Sequence, residues 1–313
     1  MSEASDTVIP QKQTQATRRV ATATVLDDPG VILTYGASGL GKTTDQGYSF
    51  PNALFAAAPG ALKSIRAVCG YEPRREDVGN IEDATKTIET AATTPGVDAV
   101  VVDDFSFVMD RTIVDLERRY TGFKLWGRLR ELVLAFRAAA RYSKIHVILN
   151  CWEQPPKTTP AGAYVRGGPR LTGDLPEQLP AMCDLVLRAR FDATRKPWGG
   201  IYVCGGSSEW VGKDRDDGTP SPAPMNLGEI MRLNGYTLSR HRDVAGWQEA
   251  AVEAVASQLV ASSEAQEIAI VEDSYSTLLG QGIPAHFARW TLRDARDRAA
   301  LRRARAAKLA TFF

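Results

Sequence analysis

Apolar residues in this chain gather in short, near-continuous runs separated by stretches of helical spacing. "VILTY" (31–35) is apolar and β-branched and is bounded by Pro29-Gly30 and Gly36, so it predicts a strand buried on both faces. "LKSIRAV" (62–68) predicts a second strand, "VDAVVVDDFS" (97–106) a third and "KIHVILNCW" (144–152) a fourth. "VATATVL" suggests a short edge strand before the first of them. Between these runs the period changes to that of a helix. Ile81, Ala84, Ile88 and Ala92 share one face of a segment over 80–94 that Pro95-Gly96 stops. Leu125, Leu129, Leu132 and Phe136 do the same over 125–142, with Arg128, Arg130, Arg137 and Arg141 opposite. A Pro/Gly-rich stretch, 155–180, predicts a long loop. "CDLVLRARF" (183–191) and "GGIYVCGG" (199–206), joined by "DATRKPW", predict a hairpin. A short helix is expected over 226–234, and two or three more from Val244 to the end, broken at "GQGIP" (280–284). Buried strands alternating with helices predict an α/β sheet, mainly parallel, with helices on both faces.

Composition narrows this only slightly. Hydrophobic residues make up 44% of the 313, charged residues 24%, and the net charge is +1, ordinary for a soluble globular protein. The four cysteines lack metal-ligand spacing and there are only three histidines, so the cysteines read as small buried hydrophobes in a reducing compartment and a zinc site is not expected. The N-terminal "MSEASDTVIPQKQTQATRR" lacks the apolar core of a signal peptide, and no run is long enough to span a membrane; a cytoplasmic protein is expected. Residues 1–20 read as a flexible tail, 21–240 as the core and 244–313 as a helical, basic C-terminal extension.

The sharpest chemistry lies directly after the first strand. Gly36-Ala37-Ser38-Gly39-Leu40-Gly41-Lys42-Thr43, followed by Thr44, fits G-x-x-x-x-G-K-[ST]. Glycines let successive backbone N–H groups turn inward around phosphate, and the helix that follows adds its positive end. Lys42 can reach the β- and γ-phosphates of ATP, and the Thr43 hydroxyl can ligate Mg²⁺. "VVVDD" supplies the acidic partner at the end of a neighbouring strand: Asp103 on the metal side, and Asp104 either to orient or deprotonate water or simply to cap a helix. Asn150, Glu153 and Gln154 follow the next strand, where a γ-phosphate sensor belongs. Lys213 and Arg215, two apart in "GKDRDD", can point the same way, either toward developing negative charge or into solvent from a charged loop.

"GASGLGKTT", "AVVVDDFS", Trp126-Gly127 at the start of the long helix, "GDLPEQLPAMCDLVLR", and "VGKDR" followed by "PMNLGEIM" together resemble phage RecA-like P-loop ATP-binding proteins, of the RecA-core single-strand annealing recombinase type, over about residues 25–235. The resemblance implies a RecA-like core with a β-hairpin at its C-terminal side. It also implies ATP and Mg²⁺ as cofactors and ATP hydrolysis on single-stranded DNA in recombination, annealing or replication. A ring or filament is implied in which Lys213 and Arg215 reach a neighbour's γ-phosphate, as are a possible single-strand-binding protein partner and a place in the host cytoplasm. It places the DNA contact in 155–180, at Lys157, Tyr164, Arg166 and Arg170. The chain departs from the family at the catalytic Glu of the second strand, where "AVCGYEP" offers only Glu72, so Glu72, Asp104 and Glu153 all stand as possible bases. The helix after the P-loop is also short before Pro51.

One other function class and the role of one segment stay open. The class is a nucleotide-gated assembly protein in which ATP controls oligomerisation. The segment is a basic C-terminal stripe, Arg289 to Lys308, that tracks phosphates, forms a solvated face or docks on acidic residues of a neighbouring subunit.

Overall fold

The computed structural model describes residues 29–193, 200–215, 219–238, 246–283 and 285–310. The expected tail 1–20, the "VATATVL" strand and most of the 192–198 turn lie outside them, as do the side chains of Trp290, Lys308 and Leu309.

The chain opens with β1 (Val31–Tyr35), α1 (Lys42–Ser49), β2 (Leu54–Ala57), α2 (Lys63–Cys69), β3 (Arg74–Asp77) and α3 (Ile81–Thr93). It continues through β4 (Ala99–Asp103), α4 (Phe105–Glu117), α5 (Phe123–Tyr142) and β5 (His146–Cys151). Four two-residue strands follow, β6 (Glu153–Gln154), β7 (Lys157–Thr158), β8 (Tyr164–Val165) and β9 (Gly168–Pro169), and then α6 (Leu175–Met182). The last strands are β10 (Leu185–Phe191), β11 (Gly200–Cys204), β12 (Lys213–Asp214) and β13 (Ala223–Pro224). Four helices end the chain: α7 (Leu227–Leu233), α8 (Gly246–Ala261), α9 (Glu264–Gly280) and α10 (Ala285–Ala310).

Among the described residues the main sheet has nine strands, ordered β13-β11-β10-β1-β5-β4-β2-β3, with β12 beside β10. The run from β10 to β3 is parallel, and β11 turns back antiparallel on β10 as the expected hairpin. Strand periodicity divides the core in two. Val31, Leu33 and Tyr35 face one side with Val100, Val102, Val147 and Leu149, under α3, α4 and α5. Ile32 faces the other with Phe55, Val101, Ile148 and Leu187, under residues of α1, α2 and α7. Each central strand is buried twice over, hence its near-continuous apolar run. A separate cluster joins α8, α9 and α10.

Three expectations are corrected. The segment 62–68 is not a strand but α2, which buries Ile65 and Cys69 at i and i+4, leaves Val68 37% exposed and ends at Gly70 in the left-handed region (φ 76°). The second strand of the sheet is instead β2, a four-residue run too short to stand out. The loop 155–180 is partly built: β6 pairs with β9, β7 with β8, and α6 begins at Leu175. The basic C-terminal stripe is not free to track phosphate along its length. Arg293 and Arg298 are buried, Arg302 makes two bonds of 2.6 and 2.8 Å to Glu253, Arg303 meets Glu267, and Arg305 donates to the Leu233 carbonyl. The stripe docks on acidic residues, but of its own chain.

Candidate nucleotide site

The loop 36–41 connects the C-terminal end of β1 to the first turn of α1, with Gly39 (φ 81°) and Gly41 (φ 92°) in the left-handed region where a side chain is disfavoured. Gly36 is tight for another reason: a Cβ there would stand 2.7 Å from the Ala189 carbonyl oxygen. Ser38 to Thr44 line a cleft of about 380 Å³ together with Ala61, Ser64, Asp103, Asp104, Asn150 and Trp152. Every residue of the cradle from Ser38 onward is therefore gathered at one place, at the strand ends where parallel α/β sheets hold ligands.

The Thr43 hydroxyl donates to Asp103 Oδ2 at 2.7 Å. β4 and β5 pair in register, Asp103 opposite Asn150, and the Asn150 amide donates to Asp103 Oδ1. The chain runs on inward: Thr34 Oγ1 to Asn150 Oδ1 at 3.4 Å and Gln46 Nε2 to Thr34 Oγ1 at 2.9 Å. Four neighbouring elements, α1, β1, β5 and β4, are thus tied by polar bonds at one end of the sheet. Lys42 Nζ donates to the carbonyls of Gly36 and Ala37, each at 2.8 Å. Burial lowers the Lys42 pKa and Asp104 and Asp103 oppose it. Burial raises the pKa of Asp103 against the bonds from Thr43 and Asn150. Burial, then the neighbouring Asp103 carboxylate, pushes Asp104 up to about 7.

These groups fit a magnesium nucleotide. A hydroxyl and a buried carboxylate 2.7 Å apart are hard oxygen donors of the kind Mg²⁺ takes, and carboxylates raised by burial regain their charge beside a cation. Among the described residues no cluster of three or more His, Cys, Asp or Glu offers a different metal site.

The candidate bases separate. Asp104 is the N-cap of α4, its Oδ1 accepting from Ser106 N at 2.6 Å and Phe107 N at 3.2 Å, and it lines the cleft as well. Glu72 is not at the site: it precedes β3 on the surface, 3.9 Å from Arg66, because the segment before it is a helix rather than a strand. Glu153 turns to Arg188 at 3.3 Å, and that guanidinium stacks 3.1 Å from the Trp210 ring. Lys213 and Arg215 do not reach this chain's own cleft. They sit where β12 pairs with the start of β10, at the sheet end opposite the loop; Lys213 Nζ donates to the Ala181 carbonyl, and Arg215 shares the buried Asp184 with Arg141. Lys157, Tyr164 and Arg166 are exposed on and beside the β7–β8 hairpin. Arg170 is braced instead, paired with Asp110 and 4.6 Å over the Trp152 ring.

Sequence reasoning missed Trp152, Ala61 and Ser64. Trp152 stands two residues after Asn150, on the same side of an extended strand, a signal that was there to use. Ala61 and Ser64 were lost with the misread α2. Thr34, the one polar residue of "VILTY", also carried a legible sign.

The AAA domain family matches residues 29–216, more than half of the chain and the whole of this site. The chain belongs to the AAA domain family. No curated protein matches it in sequence. Among solved structures, this AAA-family chain is similar to a KaiC-like protein of the hyperthermophilic archaeon Pyrococcus horikoshii, at 13% identity and TM-score 0.33, covering 56% of this chain and 78% of that one. It is also similar to the RadB recombinase, at 17% identity and TM-score 0.36, covering 57% and 81%. Among the described residues of the AAA-family chain, no helix is long and apolar enough to cross a membrane.

Proposed function

We propose that this protein is a P-loop ATPase that acts on single-stranded DNA in recombination, annealing or replication, and that copies assemble with ATP between them. The observation that carries the reading is the junction at the end of β5. Asn150 holds Asp103 behind the phosphate cradle; two residues on, Trp152 lines the cleft and stacks under Arg170. The exposed hairpin with Lys157 and Tyr164 lies between Trp152 and Arg170 in sequence, and the Arg170 N–H bonds the Trp152 carbonyl at 2.8 Å. A change at the phosphates thus has a short covalent and stacked route to an aromatic and basic surface of the kind that binds single strands.

Glycine-loop N–H groups and Lys42 hold the phosphates, and Thr43 and Asp103 hold Mg²⁺, which supplies charge neutralisation at the transferring phosphate. Lys213 and Arg215, turned away from their own cleft, act on a neighbour's in a ring or filament. A phage origin, a host-cytoplasm setting and a single-strand-binding protein partner complete the proposal.

A second reading is favoured by one specific observation: Glu72 is away from the cleft, Asp104 caps α4 and Glu153 is paired with Arg188. A site in which Glu72 is remote, Glu153 is paired and Asp104 is engaged as a helix cap suits a nucleotide-gated assembly protein with slow turnover.

ATP hydrolysis by the full chain, alone, with single-stranded DNA and with duplex, separates them, with Lys42→Ala as the blank. Several-fold stimulation by single strands that Lys42→Ala lacks is expected. Lys42-dependent turnover indifferent to DNA sinks the DNA reading and leaves the assembly reading.

A further inference from the structure

Helix α1 is a poor helix by itself. It has eight residues, "KTTDQGYS", with a glycine and two threonines among them, far below the length at which an isolated helix persists in water. Its N-terminal turn must nevertheless hold Lys42 and Thr43 against the cleft. Its direction is therefore imposed by whatever grips its rear face.

That face carries Asp45, fully buried. Its Oδ2 accepts from the Tyr202 hydroxyl at 2.8 Å and from the Leu227 N–H at 3.2 Å, so β11 and the start of α7 both bind it. Gly228 lets α7 lie directly on α1, since a Cβ there would come 3.1 Å from Ser49 Cβ. The positive charge opposite comes from the far end of the chain. Arg293 of α10 is 8% exposed, donates to the Met225 carbonyl at 3.1 Å, lies 3.6 Å from Asp297 and sits 5.0 Å over the ring of Tyr48, the residue one turn along α1 from Asp45. Helix α1 thus meets α10 directly at Tyr48, and through Asp45 it meets Leu227, two residues past the Met225 carbonyl that Arg293 holds.

We infer that Arg293 is a positioning residue for the nucleotide site, holding the phosphate-binding helix through Tyr48 and through the Met225–Leu227 turn that binds Asp45. The C-terminal helical extension is then a structural part of the cleft, although it lies beyond the residues that the AAA family covers. This rests on the nucleotide reading of the cleft.

The test uses the full chain as wild type, Arg293→Met, Arg293→Lys and Arg302→Ala. Arg302 pairs α10 with α8 through Glu253 and controls for general loosening of the extension. Three quantities are read: the dissociation constant for a fluorescent ATP analogue with Mg²⁺, hydrogen exchange across residues 42–49 without nucleotide, and Tm. Arg293→Met should weaken the analogue at least fivefold and speed exchange in α1, with Arg293→Lys between it and wild type. Arg302→Ala should lower Tm and leave the other two within twofold. Should Arg293→Met lose Tm alone, with affinity and α1 exchange unchanged, the inference is overturned. If Arg293→Met does not fold, Arg293→Lys against Arg302→Ala makes the same comparison. A wild type that binds no analogue defeats the nucleotide reading, and the exchange of 42–49 then decides the role of Arg293 separately.

Discussion

At the scale of single residues, the site depends on side chains that hold other side chains. Asn150 contacts Asp103 rather than standing alone at the cleft, so Asn150→Ala should weaken Mg²⁺-dependent ATP binding by about tenfold, as loss of a second partner of a metal ligand commonly does. Calorimetry with and without Mg²⁺ checks this, and an equal loss in both conditions contradicts it. His146 offers a pH handle away from the cleft. Its Nδ1 accepts from the Gly30 N–H at 3.0 Å and its Nε2 faces the Thr237 carbonyl at 2.8 Å, which requires the neutral Nε2–H form. Burial lowers its pKa, against the Thr237 carbonyl and Asp98. The folded chain therefore resists a proton that the unfolded chain takes up as pH falls below about 6.5, and the stability His146 contributes is present above that pH and lost below it. Asp104, raised to about 7, has the opposite sign: its contribution is full below the unfolded carboxylate range and is lost as pH rises toward 7. The difference between wild type and His146→Asn isolates the histidine. Urea unfolding at pH 7.5 and 5.5 should show that difference shrinking at the lower pH.

At the scale of elements, α1 and α2 meet where Gly47 has no side chain. A Cβ there would lie 2.6 Å from Ile65 Cγ1, with two more Ile65 carbons at 2.7 Å. Gly47→Ala should cost about 1–3 kcal/mol by overpacking. Ile65→Ala in the same chain should recover part of that, measured as a double-mutant cycle by urea unfolding; additive losses would show that the two helices do not share the contact. The same pair shows why α2 was misread. Its one deeply buried aliphatic, Ile65, and its β-branched Val68 look like strand residues in a short window. Only the packing of Ile65 and Cys69 on one side decides for a helix. α4 was missed for a related reason. Phe105, Val108, Met109, Thr112 and Leu116 are buried at helical spacing, but they follow a strand so closely that the apolar run reads as its continuation.

At the scale of the whole molecule, the basic C-terminal segment is joined to the core through buried charge. Arg298 has a side chain 2% exposed and meets Asp294 at 2.9 Å, Glu229 of α7 at 3.6 Å and Glu253 of α8 at 3.7 Å. Arg298→Ala takes the buried cation away from Asp294, while Glu229 keeps Arg232 and Glu253 keeps Arg302, and should cost about 3 kcal/mol, beyond an exposed pair. Circular dichroism against urea checks this, and a loss below about 1 kcal/mol would place Arg298 among surface pairs. The arginines of this segment were legible as charge and illegible as partners, because their carboxylates lie as much as 69 positions away in sequence, as between Glu229 and Arg298.

The sequence by itself determined the central strands β1, β4, β5 and β10, the β10–β11 hairpin and the long helix α5, because doubly buried strands and one-faced helices leave a periodic trace in any order of the chain. It also determined the cradle, since glycine at Gly39 and Gly41 answers a local backbone need. Tertiary structure alone decided that Glu72 is remote and that the arginines of α10 turn inward. Those outcomes depend on how neighbouring segments pack and on partners distant in sequence, and neither leaves a mark in a local window.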